Sequence, residues 1–211
     1  MNELKSLMPD TKKVLKKLAG LSLLKEFTFV GGSALSIYLS HRYSEDIDLF
    51  TWKEKLDGLS IQEKISEADF SRINILNISQ QQADFMIDGV NVTFFDNNWS
   101  ELQNRKQLFQ NLHIAHLDII AVMKINSLFL RAKFRDYYDL YVLNLQYFSL
   151  NQLFEMAKNK IANLNKTLFQ KVLIFTEDIE DESIRHMEPK YKISLKEIEH
   201  HFTKEIKKWN Q

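Results

Sequence analysis

The sequence predicts an α+β fold on three observations. Strand-like runs cluster in the first half of the chain, helical periodicity fills the second half, and a strand–helix–strand unit carries a glycine turn followed by alternating acidic residues. The order of elements follows from the local signals. Pro9 to Leu24 places Val14, Leu15, Leu18 and Leu21 near one face with lysines opposite, the pattern of an amphipathic helix. Phe27 to Val30 is apolar, aromatic and β-branched, as in a buried strand. Gly31-Gly32-Ser33 ends it, with Ser33 read as the cap of a helix over Ala34 to Ser40. A second strand opens at Asp46-Ile47-Asp48 and runs to about Trp52. Lys53 to Phe70 reads as helix with loop, and Ile73 to Ile78 as a strand. Gln82 to Ile87 and Val90 to Phe95 flank Asp88-Gly89, a tight-hairpin signal. Asn97 to Gln107 reads as a connecting loop. His116 to Leu145 is one long helical stretch, and the remainder is helical up to Trp209, with an interruption at Pro189 and the polar run before it.

At 211 residues, 45% of them hydrophobic, the chain holds one domain or one domain with a helical extension. We place the division at 1–115 and 116–211. The 28 basic and 28 acidic residues cancel, which excludes a general nucleic-acid coat and leaves room for a local basic stripe. The absence of cysteine excludes disulfides and thiolate metal sites. The start MNELKSLMPDTKKVLKKLAG lacks a signal-peptide core, and no run approaches the roughly 18 apolar residues of a membrane span. A cytoplasmic protein with no membrane partner is expected.

The chemistry concentrates in residues 29–50. Gly31 and Gly32 allow the backbone a sharp turn and a close approach to a ligand. The helix start behind them offers free N–H groups and partial positive charge to a phosphate, and Ser33 adds a hydroxyl. Asp46 and Asp48, two apart on a strand, aim at one point while Ile47 and Leu49 face the core. Two close carboxylates repel each other unless a cation lies between them, and Mg²⁺ suits carboxylate and phosphate oxygens. Singly, each signal has a plain explanation: a simple turn, a solvated strand edge, an ordinary cap. Their order and spacing point to a nucleotide. The segment is neither a P-loop, lacking Gly-Lys-Ser/Thr, nor a dinucleotide fingerprint, lacking a third glycine.

A second constellation lies in DIIAVMKINSLFLRAKFRDYYDLYVL, Asp118 to Leu143. Read as one helix, Lys124, Arg131 and Arg135 form a stripe spaced by seven and four, flanked by Asp136 and Asp139. Such a stripe can hold a triphosphate or follow a nucleic-acid backbone, though most charged stripes are solvated faces. Asp136 could position one of these bases or act on an attacking hydroxyl. Tyr137, Tyr138 and Tyr141 read as packing residues. His113 and His116, three apart, have the spacing of metal ligands on a helical turn but read more simply as surface or core residues; His200-His201 reads as solvated.

GGSAL, HRYSEDIDLF and the run from Lys124 through RAKFRDYYDLY together resemble the AbiEii/AbiGii toxin family of nucleotidyltransferases. The likeness covers residues 10–145 well and the tail, with FTEDIE and Trp209, more loosely. The resemblance implies a polymerase-β-like nucleotidyltransferase core, a mixed sheet with flanking helices, followed by a helical C-terminal region. It implies transfer of a nucleoside monophosphate from an NTP to an acceptor hydroxyl, with release of pyrophosphate. It also implies a toxin of a toxin–antitoxin, abortive-infection pair, with a cognate antitoxin as partner and the 3′ end of an RNA, tRNA in some relatives, as acceptor. By position, Gly32 and Ser33 would hold the triphosphate, Asp46 and Asp48 would bind Mg²⁺, Lys124 would contact phosphate, and Asp136 would complete the site. Arg42 would orient the loop or touch the nucleotide.

One position departs from the wider pattern. Polymerase-β-like enzymes usually carry a third carboxylate on a later strand, and Thr93 stands there, with Asp84 or Asp136 as substitutes. Two rival readings follow: a nucleotide- or partner-binding module of the same fold with weakened catalysis, and an enzyme that AMPylates a protein hydroxyl.

Overall fold

The computed structural model describes residues 4–179 and 183–211. The chain divides into two compact units, Met1–Ile119 and Ile120–Gln211.

The first unit is built on a mixed seven-stranded sheet. The helix α1 (Pro9–Gly20) and a 3₁₀ turn (Ser22–Glu26) lead into β1 (Thr28–Val30), α2 (Gly31–Leu39) and β2 (Ile47–Thr51). After α3 (Gly58–Ser66) come β3 (Ile73–Ile78), β4 (Gln82–Ile87), β5 (Val90–Asp96), a 3₁₀ turn (Ser100–Gln103), β6 (Arg105–Phe109) and β7 (Leu112–Ala115). The strand order is β3-β4-β5-β2-β1-β7-β6. β2 runs antiparallel to β1 and parallel to β5, and β1 runs parallel to β7.

Register decides which face of this sheet carries the carboxylates. Ile47, Leu49, Val92, Phe94, Ala83 and Phe85 are buried, while Asp48, Phe50, Thr93 and Asp84, one residue out of step, are half-buried. A slip of one residue would drive the carboxylates into the core, so apolar burial fixes their direction. The buried face is closed by rings: Phe94 meets Phe27 edge-on at 5.0 Å and Phe85 at 6.0 Å. The Asp88-Gly89 hairpin forms as expected, with positive φ at both residues (47° and 83°) and Ile87 paired to Val90.

The second unit is helical. α4 (Leu117–Leu130) crosses the boundary between the units and is followed by α5 (Phe134–Gln146), α6 (Leu150–Ala157), α7 (Lys166–Ile174), a 3₁₀ turn (Arg185–Met187) and α8 (Leu195–Trp209). α8 packs against α5, α6 and α7, burying Leu195, Ile198 and Phe202. Ser149 and Ser194 start their helices with reciprocal capping boxes. Trp209 closes on Phe154 and Phe169 at 5.7 and 6.0 Å.

Several expectations are corrected. The first helix ends at Gly20, where Leu21 turns extended, rather than at Leu24. The stretch Asn97 to Gln107 is not simply loop: Arg105 opens β6, which pairs with β7. The long stretch from His116 to Leu145 is two helices, broken at residues 131–133 with Ala132 at φ 43°. His113 lies on β7 rather than on a helical turn. His201 is not solvated: its ring nitrogen meets Asn144 Oδ1 at 2.7 Å, it packs on Tyr141, and burial lowers its pKa. Tyr137 and Tyr138 are packing residues, both buried. Glu180 of FTEDIE and residues 180–182 of the polar run before Pro189 lie outside the described residues. Among the described residues, no helix is long and apolar enough to cross a membrane.

Candidate active site

In the first unit the glycine turn and the acidic strand come together. Val30 pairs with Asp48 across β1 and β2, and the next residue, Gly31, turns away at φ 75° to start α2. A Cβ at Gly31 would lie 2.0 Å from Asp48 Oδ2 and 2.9 Å from its Cγ. The Asp48 carboxylate therefore occupies the space a side chain would fill, directly against the helix start. Gly32 serves a different neighbour. A Cβ there would lie 2.7 Å from Nη2 of Arg42, a buried guanidinium that also donates to the Tyr43 carbonyl at 3.0 Å. Arg42 is thus packed on the turn.

Ser33 departs from its expected role. α2 begins at Gly31, so Val30 is the N-cap and Ser33 sits inside the first turn. Its side chain is 1% exposed; its hydroxyl donates to the Asp46 carbonyl and lies 2.9 Å from Ser44 Oγ. The hydroxyl ties down the loop that carries Asp46. What the turn can offer a phosphate is its N–H groups, because the first four of any helix have no acceptor within the helix.

Asp46 precedes β2 rather than opening it, and is held by neighbours from other elements. Asn91 Nδ2 donates to its Oδ1 at 3.3 Å. Thr11 donates to the neighbouring Glu45 carbonyl at 2.6 Å, and the backbone of Ser44 pairs with Ser6 and Met8 at 3.1 and 3.0 Å. Of these anchoring residues only Ser44 lies in a sequence motif, HRYSEDIDLF; Ser6 and Thr11 carry none.

The acidic groups on offer are the Asp48 carboxylate, seated against the start of α2, and the Asp46 carboxylate two residues before it. Among the described residues, no group of three or more His, Asp or Glu side chains could hold a metal. This composition fits Mg²⁺, which takes one or two carboxylates and draws its other oxygens from water and substrate phosphates.

Lys124, Arg131, Arg135 and Asp136 lie in the second unit. They do not form a stripe on one helix. In a continuous helix Lys124 and Asp136, twelve positions apart, would be separated by about 18 Å. Instead Lys124 Nζ lies 3.1 Å from Asp136 Oδ1 and 2.7 Å from Asp139 Oδ2, because the chain doubles back at the break after α4. Arg131 adds a forked pair to Asp136 at 3.0 and 3.1 Å. Lys124 is 4% exposed and both carboxylates are 0% exposed. Burial pushes the Asp136 pKa up, but Lys124 and Arg131 pull it further down, below the ordinary value. Asp139, one turn after Asp136, is the member of this cluster whose ion pair the sequence reading missed. Arg135 is half-buried on α5.

A family model described as nucleotidyl transferase AbiEii toxin, Type IV TA system, matches residues 13–209. The chain belongs to the AbiEii family. An uncharacterized protein of Aquifex aeolicus, aq_aa25, is 30% identical over 209 residues, 98% of each chain. Two solved structures share the fold of this AbiEii chain. JHP933 from Helicobacter pylori is 18% identical over 96% of this chain and 92% of that one, with a TM-score of 0.61. MenT4, a nucleotidyltransferase toxin from Mycobacterium tuberculosis, is 12% identical over 92% and 81%, with a TM-score of 0.60. The AbiEii chain is a nucleotidyltransferase of a toxin family, on a mixed sheet with flanking helices.

Proposed function

We propose that this chain moves a nucleoside monophosphate from an NTP to the hydroxyl at the 3′ end of an RNA, tRNA being the first candidate. The observation that carries this reading is the seating of the Asp48 carboxylate against the N-terminus of α2, in space that only a glycine at position 31 leaves open. A triphosphate and a carboxylate repel each other, so a helix start shared by both calls for a cation between them. Asp46 and Asp48 are the residues that would hold Mg²⁺. When bound, that ion would offset charge on the phosphates and orient them for in-line displacement. The N–H groups of Gly31, Gly32 and Ser33 would bind phosphate oxygens, and Arg42, packed on Gly32, would keep the turn in shape. The share of Lys124, Arg131, Arg135 and Asp136 in the reaction rests on the family pattern. A cytoplasmic toxin opposed by a cognate antitoxin completes the reading, and the family supports it.

The test is the purified full chain with Mg²⁺, each α-labelled NTP in turn and bulk tRNA, with a parallel arm of total protein. Label should enter tRNA for at least one NTP. Asp48→Asn should lower incorporation by at least about 100-fold with an unchanged melting curve. Undiminished transfer by this variant refutes the mechanism. Label confined to protein replaces the RNA acceptor with a protein hydroxyl.

A further inference from the structure

Three oxygen-bearing side chains form one row across β2, β5 and β4. Asp48 is paired with Thr93, and Thr93 with Asp84. Residues directly opposite share a face of the sheet, and the half-buried state of all three agrees. Thr93 Oγ1 donates to Asp84 Oδ1 at 2.8 Å. Gln82 Nε2 donates to both oxygens of Asp84 at 2.9 and 2.8 Å, and Asn77 Nδ2 reaches Oδ2 at 3.3 Å. A threonine hydroxyl has one proton and two lone pairs. Here the proton is committed to Asp84, so the oxygen faces the row as an acceptor.

Distance separates the roles of these residues. Adjacent strands lie about 4.8 Å apart, so Asp84, two strands from Asp48, is roughly 10 Å away by backbone spacing. Carboxylates sharing one Mg²⁺ each approach it to about 2 Å. Asp84 therefore acts through Thr93, its neighbour on the strand between.

We propose that Thr93 and Asp84 form a proton relay for the acceptor hydroxyl, an inference that rests on the transfer reaction above. As the acceptor oxygen bonds to the α-phosphorus, the bond from that phosphorus to the bridging oxygen breaks and pyrophosphate leaves with the electron pair. The acceptor's proton passes to Thr93 Oγ1, and Thr93's own proton passes to Asp84 Oδ1. Asp84 becomes a neutral carboxyl and returns its proton to water. Thr93 touches the acceptor; Asp84 is the positioning residue that aims its hydroxyl and takes the displaced proton. The rival role, a staple between strands, adds little here, because β4 and β5 are already paired from Gln82–Phe95 to Ile87–Val90.

The experiment compares Thr93→Val, Thr93→Ser and Asp84→Asn in the tRNA-labelling assay with saturating NTP, alongside melting curves. Asparagine can still accept the threonine's hydrogen bond but cannot take its proton. Thr93→Val and Asp84→Asn should each lower kcat by about 100-fold or more with an unchanged KM for NTP, and Thr93→Ser should restore most of the rate. Should Thr93→Val melt early, Asp84→Asn decides. Wild-type kcat in Asp84→Asn, or a Thr93→Ser as impaired as Thr93→Val, overturns the relay and leaves the transfer reading intact. A wild-type chain inert with all four NTPs and both acceptor pools overturns the transfer reading and the relay with it.

Discussion

Two glycines in this chain share a backbone strain but not a neighbour, and the comparison isolates the active-site geometry. Gly31 has φ 75° and Gly89 has φ 83°. Alanine at either position must hold a left-handed backbone, at about 1–2 kcal/mol. At roughly 2–4 °C per kcal/mol for a chain of this size, each variant should melt about 2–8 °C lower. At Gly89 nothing lies within 4 Å of the new methyl, so the effect ends there. At Gly31 the methyl would fall 2.0 Å from Asp48 Oδ2, 2.9 Å from Cγ and 3.1 Å from Cβ. Clearing the 2.0 Å contact requires Oδ2 itself to move by about an ångström or more, and turning the carboxylate still leaves crowding at Cγ and Cβ. A displacement of that order at a reacting centre costs about 100-fold in rate. The assay is incorporation of labelled nucleotide into bulk tRNA beside a thermal melt for each variant. Gly31→Ala should lose about 100-fold or more of its rate, whereas Gly89→Ala should stay near the wild type at a comparable melting temperature. Equal rates in the two variants would refute the claim that Gly31 exists to seat Asp48.

Two further outcomes follow from the buried ion cluster. Lys124→Ala leaves the Asp136 and Asp139 carboxylates buried without their ammonium partner, and urea unfolding should show a loss of about 3–5 kcal/mol; a loss below about 1 kcal/mol would show that the cluster contributes little to stability. Asp136 has a folded pKa below the ordinary 3.8, so its stabilising effect is present above that value and fades as pH falls through the folded pKa. Between pH 5 and pH 3 the wild type should therefore lose more stability than Asp136→Asn; parallel losses would remove Asp136 as the cause.

The parts of the fold that could be read in the sequence are those where a local rule and tertiary packing agree. Asp88-Gly89 supplies the two positive φ angles its hairpin needs. The strand at residues 47–51 shows its period in its residues, and the structure buries alternate positions accordingly. The β6–β7 hairpin gave no such sign. RKQLF is a polar edge strand, and its turn puts Gln110, not glycine, at φ 48°. The break between α4 and α5 was equally silent. It contains neither glycine nor proline, and Ala132 takes φ 43°. Nothing local asks for that break; pairing Lys124 with two buried carboxylates that a continuous helix would hold far away does.

The same contrast runs through the site. The pattern Gly-Gly-Ser reads as a turn followed by a cap, and that reading assigns the serine to the ligand. The helix instead starts at the first glycine, which carries Ser33 one turn inward to the Asp46 loop. The division of labour then changes: the glycines make room, the helix amides are what a bound phosphate would meet, and the serine holds a carboxylate-bearing loop in place. Asp48 owes its direction to strand pairing, which a two-residue period reveals. Asp46 precedes the strand and owes its place to Ser33, Asn91 and the contact of Thr11 with Glu45, residues drawn from three separate elements. The placing of the two carboxylates is thus half a property of β2, which directs Asp48, and half a property of how α1, α2 and β5 hold the loop that carries Asp46.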